Sequence, residues 1–281
     1  MNDRRTLVIT GANTGIGAAA AAQLARPGVR LILACRSEEK TRPVLDRLRE
    51  AGAEARFVAL DLTDLAGARR AGEALARELD GLDVLINNAG LAGQRGLTRD
   101  GYELAFGVNH LGHFAFTRAL LPRLRARRGR VVNVSSGSHR RAREIPWGRL
   151  REATRSVSGL DEYGVSKLCN LLFTAELRRR EPELSAVALN PGRIASDIWR
   201  RVPPGARTLL PWLLRMKPVS FGGATLVHAA EVELGDDAPL YFNKQRAEAP
   251  SPLALREDLA RALWDYSLDA CAEGGGDAEA A

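Results

Sequence analysis

The chain contains 281 residues, of which 45% are hydrophobic and 27% are charged. This balance is typical of a soluble globular protein and excludes a disordered or fibrous chain. The formal net charge of +7 leaves an acidic small molecule, an acidic protein, a membrane surface and nucleic acid open as partners.

The cysteines, Cys35, Cys169 and Cys271, are far apart and lack the spacing of a metal site. We therefore expect reduced thiols and no bound metal, as is usual in the cytoplasm. The longest apolar stretch, 209–214, is far shorter than the roughly 20 residues that cross a bilayer. The sequence predicts a cytoplasmic protein without a membrane span.

Short apolar runs alternate with longer stretches rich in alanine, leucine and arginine. The predicted strands are 6–10, 30–35, 55–60, 83–87, 130–135 and 185–190, and the predicted helices are 16–26, 38–51, 64–79, 102–127 and 160–180. The nearly continuous apolar character of the strands suits a parallel sheet covered on both faces. We predict one α/β domain, 1–270, with a doubly wound parallel sheet of about seven strands, followed by a disordered tail, 271–281.

The first predicted strand runs into a glycine-rich turn, TGANTGIG, at residues 10–17. Glycines at this position allow a sharp bend and let a pyrophosphate approach the amides at a helix N-terminus. The spacing is G-x-x-x-G-x-G, and a tight turn without a ligand would also use glycines. The position on the first of several strand–helix units favours nucleotide binding.

The second predicted strand ends at Cys35, followed by Arg36. Folds that bind NAD tend to carry an acid near this point, which holds the ribose 2′-hydroxyl. A guanidinium suits a 2′-phosphate instead, and the missing carboxylate removes a repulsion. A solvated surface arginine is the alternative, and Glu38 and Glu39 partly offset its field. We predict NADP(H) in preference to NAD(H).

Tyr163 and Lys167 are four residues apart in a predicted helix, which puts both on one face. A phenol is a weak acid at neutral pH, and a nearby ammonium favours its ionised form. Because the chain has only four lysines against 37 arginines, the pairing favours a catalytic role over a surface pair. Ser136 follows the predicted strand 130–135 at the edge where open α/β sheets bind ligands, although serines there also cap turns.

Taken together, these motifs resemble the short-chain dehydrogenase/reductase family over about residues 5–270. The resemblance rests on TGxxxGIG, on NNAG at 87–90, on Asn109 in VNHLGHF, on Ser136, on YxxxK and on NPG at 190–192. More narrowly, ACR at 34–36, VVNVSS and YGVSKLCNLLF are similar to the retinol dehydrogenase and WW-domain oxidoreductase branch. The resemblance implies a Rossmann-type fold and hydride transfer between a nicotinamide and a carbonyl or secondary alcohol.

The resemblance also implies residue roles. Tyr163 would transfer the proton, Lys167 would lower the pKa of the phenol and bind the nicotinamide ribose, Ser136 would position the substrate oxygen, and Asn109 would hold a water in a proton relay. The implied cofactor-binding residues are Gly11, Asn13, Thr14, Gly15, Ile16, Gly17, Arg36, Asp61, Leu62, Asn88, Ala89, Gly90, Tyr163, Lys167, Pro191, Gly192, Ile194 and Ser196. Ser196 stands where the family more usually has threonine and keeps the hydroxyl.

In family terms, 194–218 would cap the substrate. Its apolar cluster at 209–214 suits a lipophilic substrate, and simple packing on the domain or on a subunit interface is the alternative. The chain begins close to the first predicted strand, without the membrane anchor common in retinol dehydrogenases, so we do not expect a membrane retinoid role. The resemblance is also compatible with a homo-oligomer.

Residues 123–155 hold 11 arginines and two glutamates, a local net charge of +9. Part of this stretch lies between Ser136 and Tyr163, near the expected mouth of the site. It could receive an acidic substrate or an acidic carrier protein, or it could simply be a solvated surface. No reading motif or aromatic platform accompanies the charge, so we do not expect nucleic acid as a partner.

Two other functions compete with a reductase. A dinucleotide-binding sensor of the same fold would have no need of Tyr163, Lys167, Ser136 and Asn109 together. A sugar-nucleotide epimerase or dehydratase usually has a longer C-terminal substrate domain than the segment that follows Pro191. We therefore predict an oxidoreductase.

Overall fold

Strand β1, Arg5–Thr10, lies within an eight-stranded sheet in our computed structural model, which describes residues 4–194, 216–235 and 237–273. The other strands are β2 (Val29–Cys35), β3 (Glu54–Ala59), β4 (Val84–Asn87), β5 (Arg130–Val134), β6 (Ser185–Asn190), β7 (Tyr241–Asn243) and β8 (Arg246–Ala247). Their order is β3-β2-β1-β4-β5-β6-β7-β8. All neighbours are parallel except β7 and β8. The chain reverses its direction of travel across the sheet between β1 and β4, and such switch points are where open α/β sheets bind ligands.

Helices cover both faces of this sheet. They are α1 (Gly15–Leu24), α2 (Glu38–Glu50), α3 (Leu65–Glu78), α4 (Leu104–Phe106), α5 (Gly112–Arg125), α6 (Leu160–Arg180), α7 (Val219–Glu231) and α8 (Glu257–Glu273). Alternate residues of a strand point to opposite faces. In β1, Leu7 and Ile9 accordingly pack with α1, α2 and α7, whereas Val8 packs with α3, α5 and α6.

The predicted helix 102–127 is interrupted. A π-helical turn, Gly107–Leu111, joins α4 to α5, and the amide of Gly112 donates to the carbonyl of Gly107. Turns of this kind are rare and are frequent at functional sites. Here the turn contains Asn109, one of the predicted site residues.

The predicted α/β class and parallel sheet are confirmed, and the six predicted strands match β1 to β6 within a residue or two. The short strands β7 and β8 and the helices α7 and α8 were not predicted from the sequence. The prediction that the tail begins at 271 is wrong for its first three residues, because α8 continues to Glu273 and Cys271 packs against the core. The rest of that tail, 274–281, lies outside the described residues.

Candidate active site

A cleft of about 830 Å³ opens at the carboxyl ends of the strands. Ser136, Tyr163 and Lys167 line it, whereas Asn109 is buried behind its wall. Every predicted cofactor residue among the described ones also lines it: Gly11, Asn13, Thr14, Gly15, Ile16, Gly17, Arg36, Asp61, Leu62, Asn88, Ala89, Gly90, Pro191, Gly192 and Ile194. Ser196, and the predicted lid except for its ends, fall within 195–215, outside the described residues.

The glycine turn between β1 and α1 is shaped by close approaches of the backbone. Gly11 has φ of +64°, and a Cβ there would lie 2.8 Å from Cα of Ala89. A Cβ at Gly17 would lie 2.5 Å from Nδ2 of Asn88. The glycines thus let the loop after β4 seat against the turn and leave the start of α1 open to the cleft. This cradle, with the N-terminus of α1 beside it, fits the pyrophosphate of a dinucleotide.

The end of β2 carries a thiol where a ribose-binding acid is common. Cys35 is buried, receives hydrogen bonds from backbone amides of the glycine turn, and has its pKa raised by burial. The next residue, Arg36, is exposed and lines the cleft. Asp61 lines it too, but its Oδ1 already accepts from the amide and hydroxyl of Thr63, at 3.0 and 2.9 Å. This end of the cleft therefore offers a guanidinium beside β2 and no carboxylate at the end of that strand.

Tyr163 and Lys167 lie one turn apart on α6 and face the same side. The Nζ atom of Lys167 is 5.6 Å from the ring centroid of Tyr163. It donates to the carbonyl oxygen of Val134 at 2.9 Å, and Nδ2 of Asn170 donates to the same oxygen at 3.0 Å. Tyr163 is hydrogen-bonded to Ser136, whose Oγ also accepts from the amide of Ser138 at 3.2 Å.

The pKa directions in this structure differ from the expectation that Lys167 lowers the pKa of the phenol. Burial raises the pKa of Tyr163, opposed by its hydrogen bond to Ser136. Burial lowers the pKa of Lys167 to about 7. The physical reason is that the low-dielectric wall of the cleft disfavours the charged form of each group. A partly neutral amine also exerts a weaker field on the phenol than a full ammonium would.

Asn109 holds together the wall behind Tyr163 and Lys167. Its Oδ1 accepts from the amide of Leu91 at 2.9 Å, and its Nδ2 donates to the carbonyl of Leu91 at 3.0 Å and to Oγ of Ser166 at 2.9 Å. A Cβ built on Gly90 would lie 3.0 Å from Oδ1 of Asn109 and 3.5 Å from Nζ of Lys167. Asn109 and Lys167 therefore lie close to one another beside Gly90.

The basic segment 123–155 does not gather at the cleft. Arg141 lines the cleft and lies 3.6 Å from Asp161. None of the other arginines in 123–155 lines the cleft. Arg125 pairs with Glu181 and Arg140 with Glu248 at 2.7 Å. The dispersal favours the solvated-surface interpretation of this segment over a continuous basic rim.

Three buried histidines were not predicted from the sequence, and two of them, His113 and His139, contact residues of the predicted site. His113 contacts Thr10 and Asn109, His110 contacts Ser267, and His139 contacts the carbonyl of Ser136. A signal was available: two of the chain's four histidines follow within four residues of Asn109 in VNHLGHF. Among the described residues, no group of three His, Cys, Asp or Glu side chains could hold a metal ion. No helix in the same ranges is long and apolar enough to span a bilayer.

Comparisons with known proteins agree with this geometry. The family model for short chain dehydrogenases matches residues 5–146. Human retinol dehydrogenase 13 is 37% identical over 276 residues, covering 94% of this chain and 83% of that protein. Mouse retinol dehydrogenase 12 is 38% identical over 279 residues, covering 94% and 85%.

Solved structures share the fold over most of the chain. An uncharacterised protein from Mycobacterium paratuberculosis is 36% identical, with a TM-score of 0.74 and coverage of 95% of this chain and 93% of that one. A short-chain dehydrogenase from Sphingobium yanoikuyae, solved in complex with NADPH, is 26% identical, with a TM-score of 0.65 and coverage of 96% and 94%.

The chain belongs to the short-chain dehydrogenase/reductase family, whose members are NAD(P)-dependent oxidoreductases acting on CH–OH and C=O groups. The resemblance inferred from the motifs, including the similarity to retinol dehydrogenases, is confirmed.

Proposed function

We propose that this protein is an NADP(H)-dependent oxidoreductase that interconverts a carbonyl group and the corresponding alcohol on a lipophilic small molecule. One observation carries the proposal. Tyr163, Ser136 and Lys167 line the same cleft as the glycine turn that follows β1. A proton donor and a dinucleotide cradle thus lie within one cavity, as hydride transfer to a carbonyl requires.

The proposed chemistry assigns one task to each residue. The cofactor, when bound, supplies or accepts the hydride. Tyr163 donates the proton to the substrate oxygen during reduction, and its raised pKa keeps the phenol protonated at neutral pH until negative charge develops on that oxygen. Ser136, hydrogen-bonded to Tyr163, orients the same oxygen. Lys167, buried beside the phenol, binds the nicotinamide ribose and returns a proton to Tyr163.

Asn109 is proposed to support the proton relay. Leu91 and Ser166 use both hydrogens of its Nδ2 and one lone pair of its Oδ1, and we assign its part in the relay to holding the wall beside Lys167. In the oxidative direction the same groups work in reverse, with Tyr163 as the base.

The preference for NADP(H) rests on the end of β2. Arg36 is exposed at the rim of the cleft, and Cys35 supplies no carboxylate to repel a phosphate. A planar guanidinium binds phosphate through paired hydrogen bonds. The complex of the Sphingobium relative with NADPH supports the same assignment.

The lipophilic substrate rests on the apolar side chains of the cleft and on the relatives. Leu91, Leu104, Val108 and Leu160 line the cavity beside the polar residues. Apolar walls with a few convergent polar groups are typical of sites for small organic molecules. The similarity to retinol dehydrogenases points to the same class of substrate.

The test is a turnover screen of the purified protein with NADPH and with NADH across ketosteroid, retinal, quinone and aliphatic ketone substrates. We expect turnover with NADPH to exceed turnover with NADH. Tyr163→Phe should keep NADPH affinity and lose most turnover, whereas the control Tyr266→Phe, which lies outside the cleft lining, should keep both. NADPH binding without turnover on any carbonyl would favour the dinucleotide sensor instead, and equal turnover by Tyr163→Phe would exclude the proposed role of the phenol.

A further inference from the structure

His113, near the start of α5, contacts two buried residues that are far apart in the sequence, Thr10 and Asn109. Its Nε2 lies 2.8 Å from Oγ1 of Thr10, at the end of β1. Its Nδ1 lies 3.1 Å from the carbonyl oxygen of Asn109, in the π-helical turn. All three residues are buried, with His113 only 2% exposed. A polar ring in such a place needs both contacts, because a lost hydrogen bond is not replaced by solvent.

The partners decide which ring nitrogen carries the proton. A carbonyl oxygen can only accept, so Nδ1 of His113 must carry the hydrogen and donate to Asn109. Nε2 is then a bare acceptor, and the hydroxyl of Thr10 donates to it. Burial lowers the pKa of His113 to about 4, so the ring stays neutral at physiological pH. A protonated ring would present a second N–H to Thr10 and reverse the direction of that hydrogen bond.

The hydroxyl of Thr10 is in turn fully used on the nucleotide side. Its oxygen accepts from the backbone amides of Asn88 and Ala89, each at 2.9 Å. Oγ1 also lies 3.5 Å from the carbonyl oxygen of Ile86, at the limit of hydrogen-bond distance, so the much shorter contact to His113 takes the hydroxyl hydrogen. With that donated bond and the two accepted ones, the hydroxyl group is fully used. Because the donated bond goes to His113, the lone pairs of Thr10 are aimed at the loop that lines the cleft.

The chain of hydrogen bonds continues from Asn109 to the catalytic helix. Nδ2 of Asn109 donates to Oγ of Ser166 at 2.9 Å, and the hydroxyl of Ser166 donates to the carbonyl of Tyr163 at 2.8 Å. His113 therefore stands midway in a buried path that runs from the amides of Asn88 and Ala89 to the backbone of Tyr163.

We propose that His113 is a positioning residue that holds the dinucleotide-binding turn and the Asn109–Tyr163 wall in register. It touches neither substrate nor cofactor, and it acts through Thr10 on one side and through Asn109 on the other. The inference rests on the proposed function for the roles of those two sides. It assigns cofactor affinity to the Thr10 contact and proton transfer to the Asn109 contact.

The two contacts can be separated by substitution. In His113→Gln the amide oxygen reaches the position of Nε2 and keeps the contact to Thr10. In His113→Asn the shorter amide matches Nδ1 and keeps the contact to Asn109. Loss of one buried hydrogen bond typically changes an equilibrium or a rate by about tenfold. We expect His113→Gln to keep the Kd for NADPH within about twofold and to lower kcat about tenfold.

His113→Asn should show the opposite pattern, with a Kd for NADPH about tenfold higher and kcat at saturating cofactor within about twofold of the wild type. The matched control is His110→Gln. His110 lies in the π-helical turn one helical turn before His113, is equally buried and contacts Ser267 on α8, and neither His110 nor α8 lines the cleft. We expect His110→Gln to lower the melting temperature while leaving Kd and kcat unchanged.

The outcomes separate this inference from the proposed function. Parallel changes of Kd and kcat in both His113 variants, or changes that merely follow the melting temperature as in His110→Gln, would overturn it. Should the wild type turn over no carbonyl, the proposed function fails, yet direct NADPH binding to the two variants still tests the Thr10 contact. The ¹⁵N NMR shifts of His113 in the unmodified protein provide a check without substitution, and a proton on Nε2 instead of Nδ1 would contradict the assignment.

Discussion

Nζ of Lys167 donates a hydrogen bond to the carbonyl oxygen of Val134 at 2.9 Å, in the wall of the cleft. The residue that is proposed to hold the cofactor and supply protons is thus fixed to the last residue of β5. Its burial has a cost in stability, because the charged form is disfavoured and its pKa falls from 10.5 to about 7.

We predict that Lys167→Met abolishes turnover and raises the stability of the ligand-free protein at pH 7. Replacing buried ion pairs by apolar residues is often neutral or stabilising by about 1 to 4 kcal/mol, and we expect a gain in the same range for the buried amine of Lys167. The carbonyl of Val134 keeps the donor from Asn170. Urea unfolding of both proteins measures the difference in the free energy of unfolding.

The difference in the free energy of unfolding between Lys167→Met and the wild type should depend on pH. Between the folded pKa of about 7 and the unfolded value of 10.5, the unfolded chain binds the proton of Lys167 and the folded chain releases it. This contribution therefore makes the wild type more stable as the pH rises through that window. The advantage of Lys167→Met should shrink between pH 7 and pH 10, and an advantage that grows with pH would contradict the assignment.

We predict that Arg36→Ala raises the KM for NADPH about 10- to 100-fold and leaves the KM for NADH nearly unchanged. The reason is the loss of charge-assisted hydrogen bonds to the 2′-phosphate, which NADH lacks. Arg42→Ala, another exposed arginine close by on α2, is the control and should change neither value. Steady-state kinetics measure both KM values, and an equal rise in the KM for NADH would argue against a contact between Arg36 and the 2′-phosphate.

We predict that Gly11→Ala costs considerably more stability than Gly28→Ala. Both glycines have positive φ, +64° and +82°, so backbone strain destabilises each alanine variant by about 1 to 2 kcal/mol. A Cβ at Gly11 also lies 2.8 Å from Cα of Ala89, whereas nothing lies within 4 Å at Gly28. Chemical unfolding should separate the two variants, and only Gly11→Ala should weaken NADPH binding. Equal losses of stability would mean that the loop after β4 moves away from the new methyl group at little cost in free energy.

We predict that Trp264→Ala lowers the free energy of unfolding by about 3 to 5 kcal/mol. The ring of Trp264, on α8, packs 5.0 Å from Phe114 and 5.9 Å from Phe173, measured between centroids. Trp147 is only partly buried and packs 5.5 Å from Tyr266, so Trp147→Ala is the control and should cost clearly less. A negligible loss at Trp264 would mean that α8 is not part of the core.

The glycine turn and the one-turn spacing of Tyr163 and Lys167 could be located from the sequence, because each feature is short in the chain, while their roles in binding and catalysis stay predictions. The glycines at 11, 15 and 17 are needed wherever a strand must turn sharply into a helix beside an anion. The spacing of Tyr163 and Lys167 follows from 3.6 residues per turn. The strands β1 to β6 could likewise be predicted from local sequence, because each is a short apolar run between helical stretches. The strands β7 and β8 could not, because strands of two or three residues leave no periodic pattern.

Only the tertiary structure decided how these pieces act on one another. The pKa of Lys167 depends on how much of the sheet edge and of α6 excludes water from its amine, and no spacing in the sequence encodes that burial. The link from Thr10 through His113 to Asn109 joins residues more than 100 positions apart, so it exists only once β1 and α5 are packed side by side. Local sequence fixed which groups are present, and long-range packing fixed which of them are charged and which of them touch.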